Sequence, residues 1–164
     1  YESLAISRYE PRGAIMKALS IRMPWAYVCA RGIKNIENRT WDTQYRGRFY
    51  IHAGQKFDKA ALQDWRFKSK EMGGLIDLKT GVHIAWLIML WDRGVSGIIG
   101  EADLVKVMTK SSSPWFEGPY GYCLANATLY KSVVPCKGRL GFFTPDLSQE
   151  PIDLEARVAE IERE

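Results

Sequence analysis

Gly32-Ile33-Lys34-Asn35-Ile36-Glu37-Asn38-Arg39, with Thr40-Trp41 directly after it, is the stretch on which the reading of this chain turns. Gly32 ends the preceding helix, because glycine takes the left-handed conformation of a helix C-terminus without steric cost. Residues 35–41 then read as a strand. Side chains alternate along a strand, which puts Glu37, Arg39 and Trp41 on one face and Ile36, Asn38 and Thr40 on the other. A strand built to stabilise a core has one apolar face, and neither face here is apolar. Such a conflict between local pattern and core building marks a site.

The flanks extend the pattern. Residues 17–23 read as a strand with Leu19, Ile21 and Met23 on one face and Ser20 and Arg22 on the other. Pro24 suits the first turn of a helix over 24–31, where its missing N–H costs nothing. Residues 48–53 alternate cleanly, with Phe49, Ile51 and Ala53 opposed to Arg48, Tyr50 and His52. An antiparallel hairpin of 35–41 with 48–53 is expected, turning at Gly47. One register sets Trp41 against Arg48, Arg39 against Tyr50 and Glu37 against His52, and a slip of one residue undoes it.

Three segments in this order resemble a known family. Gly32-x-Lys34-x-x-Glu37-x-Arg39 is similar to the signature of ASCH domains, a branch of the PUA-like β-barrels. Leu19-Ser20-Ile21-Arg22-Met23-Pro24-Trp25-Ala26 upstream, and Tyr45-Arg46-Gly47-Arg48 with Ile51-His52-Ala53 downstream, belong to the same resemblance, which covers about residues 17–144. Met23 stands where relatives often carry Gln. The resemblance implies an α+β fold: a small, mostly antiparallel PUA-like β-barrel with flanking helices. It also implies an association with RNA, since the related YTH and EVE domains hold a modified base in an aromatic-walled cleft.

Composition bounds the alternatives. The 164 residues suffice for one domain with a real core, and 46% hydrophobic with 26% charged residues excludes a disordered chain. Cys29, Cys123 and Cys136 are far apart and odd in number, which fits a reducing compartment, and two histidines at no recognised spacing give no metal site. No metal and no cofactor are expected. The longest apolar run, 82–91, is too short for a bilayer, which takes about 20 residues. No leader is read at the start, so a cytoplasmic protein is expected, without membrane partners. The net charge is +4, with a basic body and an acidic tail: residues 145–164 hold seven Asp/Glu and two Lys/Arg. That balance suits a polyanionic partner.

Residues 1–15 are expected to be an N-terminal extension, native or left over from expression. The domain proper is expected over 16–147, and an acidic C-terminal helix over 148–164 with Leu154, Val158 and Ile161 as its packing stripe. A helix over 58–72 is expected, N-capped by Asp58, and 82–91 is a buried helix or strand. Strands are expected over 97–107, 122–134 and 139–144. Between them, 110–121 is a Gly/Pro-rich loop whose Trp115 and Phe116 form either a hydrophobic plug or a stacking surface. Trp65, Trp86 and Trp91 are assigned to the core or a helix face.

The chemistry on offer is cationic and aromatic. Arg22, Lys34, Arg39, Arg46 and Arg48 supply charge-assisted donors for phosphate or base edges, while Trp25, Trp41, Trp115 and Tyr120 supply stacking faces, with Glu37 as an acceptor among them. The expected function is binding of single-stranded RNA or a nucleobase-containing ligand in a cleft bounded by residues 32–39, the 41–52 hairpin and the 114–121 loop. The competing reading is an enzyme. Small ASCH relatives include amidohydrolases acting on acetylated cytidine, but the position of their threonine, three after the motif lysine, is Glu37 here, and a carboxylate does not replace a hydroxyl nucleophile. Ribonuclease chemistry would use Lys34 for charge and His52 or Glu37 for proton transfer, with Glu101 as a further carboxylate. A regulatory protein-interaction module is the third reading. Lys34, Glu37 and Arg39 can equally be an ion-pair network, and Trp25 and Trp41 can equally be core.

Overall fold

The computed structural model describes residues 6–7, 16–64, 66 and 84–164. In chain order the elements are β1 (Ile6–Ser7), β2 (Ala18–Met23), α1 (Trp25–Ala30), β3 (Ile36–Arg39), β4 (Gly47–Phe57), a short 3-10 helix (Lys59–Gln63), α2 (Ile84–Trp91), β5 (Gly97–Met108), β6 (Tyr120–Pro135), β7 (Phe142–Phe143), β8 (Ile152–Asp153) and α3 (Leu154–Glu162). The strands form one curled sheet in the order β1-β6-β5-β4-β2-β7, with β3 and β8 also paired to β6. Most pairings are antiparallel; β1 with β6 and β2 with β4 are parallel. The architecture is an α+β, PUA-like half-barrel with a few helices.

The expected hairpin of 35–41 with 48–53 does not form. β3 pairs antiparallel with β6, setting Glu37 against Tyr122 and Arg39 against Tyr120. β4 instead lies between β2 and β5, setting His52 against Ser20 on one side and Ile98 on the other. The physical reason lies in β4 itself. Phe49, Ile51 and Ala53 are buried in the main core as their alternation predicts, but Tyr50 and His52 are buried as well. Tyr50 packs in a second, smaller core with Ala18, Ile98, Tyr130, Val134, Cys136 and Phe143. A strand covered on both faces is an interior strand, with a neighbour on each edge.

α1 packs against β2, β4, β5 and β6. Ala26, Tyr27, Val28, Cys29 and Ala30 are all completely buried, and the helix ends at Arg31 with Gly32 at φ +77 just after it, as the glycine there requires. The backbone N–H groups of Ile33 and Lys34 donate back to the Val28 carbonyl, which turns the chain from α1 into β3. Gly100 allows a close crossing: a Cβ there would meet the Thr128 carbonyl oxygen at 2.3 Å and the Ala30 Cβ at 3.0 Å.

Asp58 caps the 3-10 helix by accepting from the Ala61 N–H, and extended backbone at Asp64 ends that helix short of the expected 58–72 span; apart from Arg66, residues 65–72 lie outside the described residues. The 82–91 run is helical over Ile84–Trp91, with Leu87, Leu90 and Trp91 buried and Trp86 half-buried against the core; Trp65 lies outside the described residues. At the C-terminus, Asp153 caps α3 by accepting from the Ala156 N–H at 2.8 Å, and Leu154, Val158 and Ile161 are its buried stripe. No described helix is long and apolar enough to cross a membrane.

Candidate ligand pocket

The polar residues of the opening stretch are packed inward. Lys34 is 4% exposed and Glu37 is 8% exposed. Burying ions costs free energy unless they are paired, and these are: Lys34 Nζ lies 3.4 Å from one Glu37 oxygen, and Arg39 lies 3.0 Å from the other. Lys34 also donates to the Ile36 carbonyl, and Arg39 to the Ser20 carbonyl on β2. The three charges therefore brace one another across two strands. Lys34 and Glu37 also border open space.

That space is a pocket of about 280 Å³ lined by Ile21, Arg22, Trp25, Lys34, Glu37, Asn38, Arg66 and Glu117. β2 contributes Ile21 and Arg22, α1 contributes Trp25, and the turn into β3 contributes Lys34 and Glu37. Lys34 Nζ is 5.9 Å from the centre of the Trp25 ring, and the Arg66 guanidinium carbon is 5.3 Å from it, both within cation–π reach. Arg22 is exposed at the rim.

Asn38 fixes one wall. Its side-chain amide donates to the Trp115 carbonyl at 2.9 Å, and its oxygen accepts from the N–H groups of Glu117 at 2.8 Å and Gly118 at 3.0 Å. One side chain thus staples the 114–118 loop to β3. Arg66 closes the same side: it binds the Asp64 carboxylate through two nitrogens at 2.9 and 2.7 Å, reaches Glu117 at 3.1 Å, and lies over Trp115. Its hydrogen bonds to Asp64 hold the guanidinium above its ordinary pKa and the Asp64 carboxyl below the usual carboxylate range.

Of the residues singled out from sequence, Arg22, Trp25, Lys34 and Glu37 meet at this pocket; Arg39 and Trp115 support it from behind. The others lie elsewhere. Trp41 packs edge-on against Tyr122 and Phe142, 5.5 and 6.2 Å between ring centres, and is a wall of the core. Tyr120 is half-buried against the same core. Arg46 is exposed and donates to the Thr43 and Tyr45 carbonyls. Arg48 pairs with Glu101 at 3.1 Å and Asp103 at 3.2 Å on β5, and Glu101 also accepts from the Tyr130 hydroxyl. His52 sits on β4 facing the smaller core, not the pocket. The expected wall from the 41–52 segment is thus replaced by β2, α1 and Arg66. Of the two loop aromatics, Trp115 is buried and Phe116 is half-buried against the core, which makes them a plug.

Three polar residues of the pocket were not singled out from sequence. Asn38 lies inside the motif but on the face expected to point away. Arg66 and Glu117 are one charge among many in their segments. No local signal separates them. Among the described residues no group of three or more His, Cys, Asp or Glu is placed to hold a metal.

The ASCH domain family model matches residues 19–136. The chain belongs to the ASCH domain family. ASCH domains fall within the PUA-like superfamily, which is associated with RNA. Two relatives share a shorter segment: activating signal cointegrator 1 of Homo sapiens and of Mus musculus, each 50% identical over 38 residues. Those 38 residues are 23% of this chain and 6% of each relative, so the likeness concerns a small part of those longer proteins.

Proposed function

We propose that this ASCH domain binds single-stranded RNA by taking one nucleobase into the pocket between β2, α1 and β3. The observation that carries this reading is the Lys34–Glu37 pair in the pocket lining beside the Trp25 ring. A lysine ammonium offers donors and a carboxylate offers acceptors. Side by side they match the mixed donor–acceptor edge of a base, while an indole matches its face. The volume agrees: about 280 Å³ is at the lower end for small-molecule sites, room for a single base-sized group. Arg22 at the rim is placed to meet the phosphate that follows the base.

Passive binding is favoured over covalent chemistry at this pocket because none of its described lining residues carries a hydroxyl or thiol. A hydrolase of the amidohydrolase type would need such a nucleophile near Lys34, and Glu37 holds that position.

Titration of the protein's tryptophan fluorescence with short single-stranded RNAs tests the proposal. Binding is expected to weaken with salt, because phosphate neutralisation releases counterions, and to weaken when Lys34 is replaced by Ala. RNA affinity unchanged by Lys34→Ala discards the pocket.

A further inference from the structure

β2 borders a second cavity as well. Ile21 and Arg22 line the small pocket, whereas Ser20 lines a larger one of about 700 Å³ together with His52. We propose that Ser20 and His52 form a nucleophile–base pair opening into this larger cavity, and that the pair hydrolyses esters that carry an anionic group. The proposal is independent of the RNA pocket.

Hydrogen bonding sets the roles of the ring atoms. His52 Nε2 lies 2.8 Å from the Cys136 carbonyl oxygen, which can only accept, so Nε2 carries the proton. Nδ1 of the neutral ring is then a lone pair, and the Ser20 hydroxyl lies 2.8 Å from it as a donor. This is the order a hydrolytic serine needs: nucleophile bonded to base, base bonded to an orienting acceptor. Here the two ring nitrogens exchange their usual places, and a backbone carbonyl replaces the carboxylate. The ring cannot tilt away, since His52 is 1% exposed and Phe143 packs edge-on against it at 5.6 Å. Parallel pairing of β2 with β4 places the two residues directly abreast.

Gly138 keeps the pair open. A Cβ there would lie 2.6 Å from Ser20 Oγ and 2.7 Å from His52 Cε1, covering both groups. Only glycine leaves that space. Among the described lining residues the formal charges are Lys56 and Lys137, both exposed, with no carboxylate, which selects for a negatively charged substrate. Cys136 also lines the cavity, but burial pushes its thiol up to about 11 and it stays protonated at neutral pH.

In the reaction, Ser20 Oγ forms a bond to the ester carbonyl carbon while its proton passes to His52 Nδ1. The C–O bond to the alcohol breaks, and the same proton leaves with the alkoxide. Water, its proton taken by Nδ1, then attacks the acyl-serine, releasing the acid and restoring the hydroxyl.

The test uses the whole chain and a fluorophosphonate probe, which forms an Oγ–P bond with loss of fluoride. Peptide mass mapping is expected to place the adduct on Ser20, with none in Ser20→Ala and labelling at least tenfold slower in His52→Gln. No adduct, an adduct elsewhere, or equal labelling in a folded His52→Gln protein overturns the pair. Mapping in the unsubstituted chain decides even if His52→Gln fails to fold. For the substrate class, p-nitrophenyl hemisuccinate is expected to turn over several-fold faster than p-nitrophenyl acetate, and Lys56→Ala with Lys137→Ala to erase the difference. Equal rates in the unsubstituted protein overturn the preference for anionic esters.

Discussion

The guanidinium carbon of Arg66 lies 4.9 Å from the centre of the Trp115 ring, and 5.3 Å from that of Trp25. A planar cation over both indoles occupies stacking surface that a second base would need. Its charge is already met by Asp64 and Glu117, so it adds little net attraction for phosphate. Arg66→Ala is therefore expected to tighten RNA binding by about fivefold, corresponding to the low end of base–aromatic stacking at about 1 kcal/mol. Fluorescence titration at fixed salt checks this; weaker binding would mean that Arg66 contacts the ligand.

Arg22 and Arg39 separate binding from bracing. Arg22 is exposed at the pocket rim, so Arg22→Ala is expected to leave the melting temperature unchanged and to lower the salt slope of RNA binding by about one, the loss of a phosphate contact. Arg39 bonds the Glu37 carboxylate and the Ser20 carbonyl. Arg39→Ala is expected to destabilise the fold by about 1.5–3 kcal/mol, the usual worth of a hydrogen bond to a charged group, since Glu37 still keeps Lys34. Denaturant melts of both variants read the contrast.

Asn38 offers a third test. Replacement by Ala removes one donor and one doubly used acceptor, and frees the N–H groups of Glu117 and Gly118 and the Trp115 carbonyl. A loss of about 1–3 kcal/mol is expected. Amide exchange at residues 117 and 118 is expected to quicken more than exchange in β5, because the staple acts on that loop alone.

Burial pushes the His52 imidazole below its ordinary value of 6.5. The folded protein then holds the ring neutral where the unfolded chain protonates it, so the unfolded state binds the extra proton. Stability from this group is full above about pH 6.5 and is lost as pH falls from there toward the lowered value. An NMR titration of the His52 ring is expected to show a midpoint below 6.5, and His52→Gln to flatten the acid side of the melting-temperature profile. A midpoint at or above the ordinary value would contradict the buried setting of the ring.

Much of this was legible from local pattern. Gly32 as a helix stop, Asp58 as a cap, the Leu154–Val158–Ile161 stripe and the inward side of β4 each follow from a few neighbouring residues, and each is where the pattern puts it. A strand with no apolar face set Glu37 apart from core building, but it did not announce that Lys34 and Glu37 would be buried. Partner choice was not legible. β3 reaches past β4 to β6, some eighty residues along the chain, and nothing in Ile36–Arg39 names Tyr120–Cys123 as its mate. Tyr50 and His52 read as a polar face paired with Arg39 and Glu37; the second core that covers that face is assembled from β2, β5, β6 and β7. Arg66 belongs to the same class, since its meaning comes from a loop about fifty residues away.

Four strands, β1, β3, β5 and β8, hydrogen-bond to β6. During synthesis, the segments made before residue 120 must wait with open edges until that strand leaves the ribosome. Long-range pairing of this kind slows folding. A chaperone that shields strand edges should therefore raise the yield of folded protein.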